Sequence, residues 1–193
     1  MYYRILSNIT EYPVVNVQIG TNWTAVVVEK NGQKYCGLAS TLAEEHNHSG
    51  EPDVPSPGSL EKIPALDLAS WILSEIPLRR SIGCATINAL LPRNPINWVD
   101  KNAETAMLEE GKDKKVVLIG HFPFAERLRD QLGELHVLDL NPIGEDLPAN
   151  AAPEILPKAD LVAITGMAFI NHTLPGLLEL CRKDAFLIIL GPS

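Results

Sequence analysis

The feature that most constrains this chain is a short apolar run that ends in a glycine: V-V-L-I-G-H-F-P-F at 116–124. Lys114 and Lys115 precede the run, Gly120 closes it, and over 124–132 apolar residues recur at helical spacing. An unbroken apolar run of this length, bounded by a turn signal, reads as a buried parallel strand, followed here by a tight turn and a helix. A helix beginning there directs its unpaired N–H groups and the positive end of its dipole past the strand, which makes the turn a candidate anion or nucleotide site. A second strand, 135–138, then delivers Asp139, where dinucleotide-binding sheets hold the carboxylate that accepts from a ribose. The glycine fingerprint differs, however: His121, Phe122, Pro123 and Phe124 stand where that fold carries two more glycines, so a pyrophosphate presses against this backbone less easily. The stretch reads as the first turn of a Rossmann-like sheet with a modified ligand loop.

The pattern around it supports an α/β reading. Beyond 116–119, helix 124–132 and strand 135–138 come a loop at 140–158, strand 161–165, helix 174–181 and strand 186–190. Strands alternating with helices imply a parallel sheet. Its strands end in Gly120, Asp139, Thr165-Gly166 and Gly191, and ligands of open α/β sheets bind outside such ends, so these positions define the expected site. The last strand has no helix after it, so its face is to be covered by the other domain, by a partner subunit in a homodimer, or by chain beyond Ser193. The first half is organised differently. Short β-branched runs at 14–19 and 24–29, then Asn31-Gly32 and another apolar run at 35–38, give an antiparallel meander. The stretch 46–58, with His46, His48, prolines and glycines, is a loop. Ser59 starts a helix reaching Leu73 with Pro64 in its first turns, and a second helix covers 79–91. That helix carries Gly83-Cys-Ala-Thr-Ile-Asn at 83–88, small residues that admit another backbone or a ligand. The interval 92–113, with Pro95, Trp98 and a run of charges, is the boundary between a domain at 1–95 and one at 96–193.

At 193 residues and 46% hydrophobic the chain is of ordinary globular composition. No apolar run is long enough to span a membrane and 1–12 shows no leader, so the protein is expected in the cytoplasm. Its formal charge of −8 disfavours nucleic acid as a partner. The three cysteines, Cys36, Cys84 and Cys181, are an odd, widely spaced set beside apolar segments that reads as reduced, buried thiols.

Several segments read together resemble the heavy-metal chelation family of uncharacterised prokaryotic proteins: V-Q-I-G-T-N-W-T-A-V at 17–26, C-G-L-A-S-T at 36–41, G-C-A-T-I-N-A-L at 83–90, V-L-I-G-H-F-P-F at 117–124, L-P-K-A-D at 156–160, I-T-G-M-A-F-I-N-H-T-L at 164–174 and L-G-P-S at 190–193. The resemblance implies a small N-terminal α+β domain like the N-terminal domain of enolase, a C-terminal Rossmann-like domain and a ligand cleft shared between them. It also implies one further helix-and-strand stretch after Gly-Pro-Ser, so that the second domain is expected to be truncated.

Candidate residues follow from strand ends and small-residue segments. His121 is either a ligand, proton donor or metal contact, or a loop histidine that packs or caps. Phe122 can stack on a planar ligand. Asp139 is either a ligand contact or the cap of the Asn141 turn. Glu145 and Asp146 add negative charge, which suits a metal or a cationic ligand. One wall of the expected site is the loop 120–124 with Asp139 and the turns at Thr165 and Gly191, the other is 36–41 with 83–88, and the candidate contacts are Gly120, His121, Phe122, Asp139, Asn141, Thr165, Gly166, Asn171, Gly191, Ser40, Thr41, Thr86 and Asn88. A soft metal wants thiolate or imidazole, and Cys36, Cys84 and His121 are the candidate set, with His46 and His48 as a loop pair. Asn88, in an apolar helix, needs a hydrogen-bond partner from backbone or ligand. The expected function is binding of a small ligand or metal complex in the cleft. The alternative is an enzyme using a nucleotide-like cofactor, S-adenosylmethionine or a nicotinamide dinucleotide, in the same cleft; a transition metal is the other candidate cofactor. Metal handling without turnover and a purely structural role are the remaining classes.

Overall fold

A computed structural model describes residues 1–42 and 52–191, which divide into two compact units. The first comprises Met1–Pro95 with Phe169–Asn171, the second Ile96–Ala168 with His172–Gly191. The expected loop pair His46 and His48 lies outside the described residues.

In the first unit a short helix α1 (Tyr2–Leu6) precedes three antiparallel strands, β1 (Val14–Ile19), β2 (Trp23–Lys30) and β3 (Gln33–Ser40), in the order β1-β2-β3. Asn31 and Gly32 join β2 to β3 at φ 52° and 76°, the left-handed pair that a two-residue hairpin demands. The helix expected from Ser59 to Leu73 is broken instead. Pro64 holds Ile63 extended, so a 3₁₀ turn at Leu60–Lys62 stops and α2 (Ala65–Ser70) starts anew. The Glu11 carboxylate supplies the missing cap, accepting from the Ala65 and Leu66 amides at 2.7 and 2.8 Å. A long helix α3 (Pro77–Leu90) lies across β3 and β2. Its small residues are explained by backbone approach. A Cβ on Gly83 would sit 2.2 Å from the Ile72 amide nitrogen, and one on Gly37 of β3 would sit 2.1 Å from the Ala85 carbonyl.

The second unit opens with α4 (Ala103–Gly111), where a charged boundary had been expected. Asn102 caps it, accepting from the Thr105 amide at 2.8 Å, and Met107 is fully buried. The remaining elements are β4 (Lys115–Ile119), α5 (Ala125–Arg129), β5 (Glu134–Asp139), β6 (Leu147–Pro148), α6 (Ala152–Ile155), β7 (Leu161–Thr165), α7 (Met167–Ile170), α8 (Leu174–Leu180) and β8 (Phe186–Leu190). The strands form one parallel sheet, β6-β5-β4-β7-β8. Met107 of α4, Ala125 and Leu128 of α5, and Val116, Leu118, Leu135, Val137, Leu161 and Ala163 of the strands fuse into one apolar cluster on one face of that sheet. The expected loop 140–158 holds β6 and α6. On the edge strand β8, Phe186, Leu187 and Ile189 stay 46%, 42% and 50% exposed.

Candidate functional site at the carboxyl edge of the parallel sheet

The strand order places β5 and β6 on one side of β4, and β7 and β8 on the other. The connections therefore diverge between β4 and β7, and open α/β sheets take their ligands in the crevice outside such a divergence. Two residues of the expected site meet there. Gly120, just past β4, has φ +99°, a conformation that side-chain-bearing residues avoid, and a Cβ on it would stand 3.1 Å from Thr165 at the end of β7.

The loop after Gly120 is fixed by carboxylates. Asp139 accepts the His121 amide on Oδ2 and the Asn141 amide on Oδ1, both at 2.8 Å, so it ties the β4 turn to its own. The capping role weighed for Asp139 is thus the contact observed. The His121 ring, its side chain 30% exposed, turns its Nδ1 to Asp146 Oδ2 at 2.8 Å. A carboxylate only accepts in its ionised form, so in the neutral imidazole facing it Nδ1 carries the proton and Nε2 keeps the lone pair. The Asp146 side chain is 1% exposed, and its Oδ1 has no hydrogen-bond partner. Arg129, at the end of α5, stands 3.8 Å from that oxygen and also lies near Glu126 and Glu145, at 3.8 and 3.5 Å.

The helix N-terminus expected to face a ligand is not formed as foreseen. Pro123 intervenes, and α5 is a five-residue turn beginning at Ala125, too short for a useful dipole. Phe122 stacks on Phe124 with centroids 5.2 Å apart, and both lean on the apolar cluster. At the other strand ends, Gly166 donates to the Leu190 carbonyl, the Met167 amide donates to Thr165 Oγ1, and Gly191 has φ +100°.

The second group of expected residues lies in the first unit. Thr86 is buried and donates to the Ile82 carbonyl; Asn88 donates to the Leu38 carbonyl at 2.8 Å, so its partner is backbone. The Thr41 hydroxyl pairs with Thr24 at 2.9 Å, Ser40 closes β3, and Asn171 follows α7. Cys36 is exposed on β3 while Cys84 is buried in α3, where desolvation pushes its thiol up to about 12 and holds it protonated. Among the described residues no group of three or more His, Cys, Asp or Glu is placed to hold a metal ion.

Asp146 entered the sequence reading only as nearby charge, and Arg129 not at all. Both are reached through loop closure rather than through spacing along the chain, so no periodicity announces them.

Two family models, each described as "Putative heavy-metal chelation", match the chain: DUF4213 over residues 2–91 and DUF364 over residues 102–193. An uncharacterised protein of Methanocaldococcus jannaschii is 26% identical over 191 residues, covering 95% of this chain and 71% of its own. A crystal structure of a DUF364-family protein of unknown function from Desulfitobacterium hafniense aligns with TM-score 0.82 and 27% identity, over 97% of this chain and 76% of that one. A second, from Pyrococcus horikoshii, aligns with TM-score 0.77 and 21% identity over 99% and 77%, a likeness of fold.

Proposed function

Since this chain belongs to the heavy-metal chelation family defined by the DUF4213 and DUF364 models, we propose that it binds a metal-bearing small ligand at the carboxyl edge of its parallel sheet, with His121 Nε2 as the protein's donor to the metal. The observation that carries this is the 2.8 Å contact from His121 Nδ1 to the buried Asp146 carboxylate. Imidazoles that ligate metals commonly give their other N–H to a carboxylate, which fixes the tautomer and raises the basicity of the free nitrogen. Imidazole suits zinc, copper, iron and nickel. Glu126, Glu145 and Asp146 around one guanidinium, with Asp139 on the His121 amide, make the surroundings negative, which favours a cationic ligand over a bare phosphate. One imidazole with no convergent second donor among the described residues fits a metal that arrives carrying its other ligands.

The test is calorimetric titration with the nickel–nitrilotriacetate complex, using untagged protein in which His46 and His48 are alanine so that the loop pair cannot compete. One complex is expected to bind per chain. His121→Ala is expected to abolish binding and Asp146→Asn to weaken it about tenfold or more, as loss of an outer partner does. Binding by His121→Ala equal to that of the parent would remove the reading.

A further inference from the structure

We infer that Arg129 is a positioning residue for His121, acting through the Asp146 carboxylate. This rests on the reading of His121 as the contact, and goes further by naming what orients it.

The argument starts at Asp146. A carboxylate this buried is driven toward water unless a cation stands by it, and a lone neutral imidazole supplies a hydrogen bond but no charge. Arg129 Nη2, 3.8 Å from Oδ1, provides that charge on the side of the carboxylate away from His121. The remaining contact to the carboxylate, from the Ile143 amide at 3.4 Å, reaches Oδ2, so Oδ1 depends on Arg129 for its electrostatic partner. Arg129 is in turn flanked by Glu126, one turn earlier on α5, and by Glu145, beside Asp146 in the β5–β6 loop. Its Nε and Nη2 are buried without a hydrogen-bond acceptor at good distance, so what holds the guanidinium is this set of carboxylates. Two ends of one carboxylate are thus divided between two donors of different kinds: a charged guanidinium near Oδ1 and the neutral ring N–H on Oδ2. Fixing Oδ1 fixes the plane of the carboxylate, hence the direction from which it receives Nδ1–H, hence which ring nitrogen faces outward with a lone pair. When the guanidinium is removed, the carboxylate turns toward solvent, His121 loses its acceptor and the ring relaxes to a mixture of tautomers.

The experiment reads the tautomer directly and needs no ligand. Protein labelled with ¹⁵N-histidine is studied by long-range ¹H–¹⁵N correlation at about pH 8.5, well above the ordinary imidazole pKa of ~6.5. The parent is expected to show His121 as a single Nδ1–H species. Arg129→Met is expected to bring the Nε2–H species to a comparable population, and Arg129→Lys, which keeps the charge, to restore most of the parent pattern. Nickel–nitrilotriacetate affinity is expected to follow, falling about tenfold in Arg129→Met and recovering in Arg129→Lys. If Arg129→Met loses its far-ultraviolet circular dichroism, Arg129→Gln, which keeps a donor without the charge, takes its place with the same expected shift. Parent-like tautomers in the uncharged variant overturn the inference. A tautomer shift in protein that never binds the complex would leave Arg129 its role and remove the metal-ligand reading instead.

Discussion

Cys84 shows how one side chain can be named correctly in a sequence and still change its meaning once placed. As a cysteine among small residues it qualified as a soft-metal donor; buried in α3, with the Asn88 amide 3.8 Å from its sulfur, it is a thiol that water does not reach. Burial raises it above its ordinary 9.0 to about 12, so the folded chain keeps a proton that the unfolded chain gives up near 9. The stabilisation is complete below about pH 9 and is lost as pH rises through 12, because over that interval the unfolded state binds fewer protons. The unfolding free energy from urea titration is therefore expected to fall from about pH 9 upward, by at most ~1.4 kcal/mol per pH unit from this group, and to fall less steeply in Cys84→Ala. Tyr2, raised by partial burial to about 12, adds to the same alkaline loss, and Tyr2→Phe removes that share. His121 is the opposite case. Its place after Gly120 made it legible as a strand-end residue, but Asp146, which gives the ring its direction, lies 25 positions away across two turns.

Among the elements, those with a clear apolar period were the easiest to read and those held by a single cap the hardest. β4, β5, β7 and β8 stand within a residue of where their apolar runs put them. Helix α4 does not show itself in the sequence, because Glu104, Glu109, Glu110 and Lys101 in and before it look like a solvated linker, and of its side chains Met107 alone is fully buried, with Ala103 and Leu108 partly so. Such a helix depends on its ends. Replacing Asn102 by alanine removes the acceptor for the Thr105 amide and is expected to cost about 1 kcal/mol, measured as a shift in the urea midpoint; Asn102→Asp is expected to be nearly neutral. The helix after β4 starts at Ala125, one residue past the expected Phe124, but ends at Arg129. Apolar residues continue at helical spacing to Leu132, and Leu132 reaches the cluster from beyond the helix end.

At the scale of the whole molecule, the described residues close one side of the parallel sheet with the short strand β6 and leave the other side at β8. Among the described residues β8 is the last strand on that side, and its exposed Phe186, Leu187 and Ile189 are the side chains that make an edge strand a pairing hazard. Concentration-dependent association is expected on gel filtration at ~0.1 mM, and Ile189→Lys, which puts a charge on that edge, is expected to suppress it without moving the melting temperature by more than a few degrees. A strictly monomeric parent at that concentration would show that the edge is inert. The order of hydrophobic runs was enough to establish an antiparallel sheet followed by a parallel one, because burial on one face or two leaves a period of two or an unbroken apolar stretch in any chain that folds this way. The partnership of Arg129, Asp146 and His121 came only from tertiary structure, since charged side chains carry no period, and which ones meet is decided by where the turns bring the strand ends.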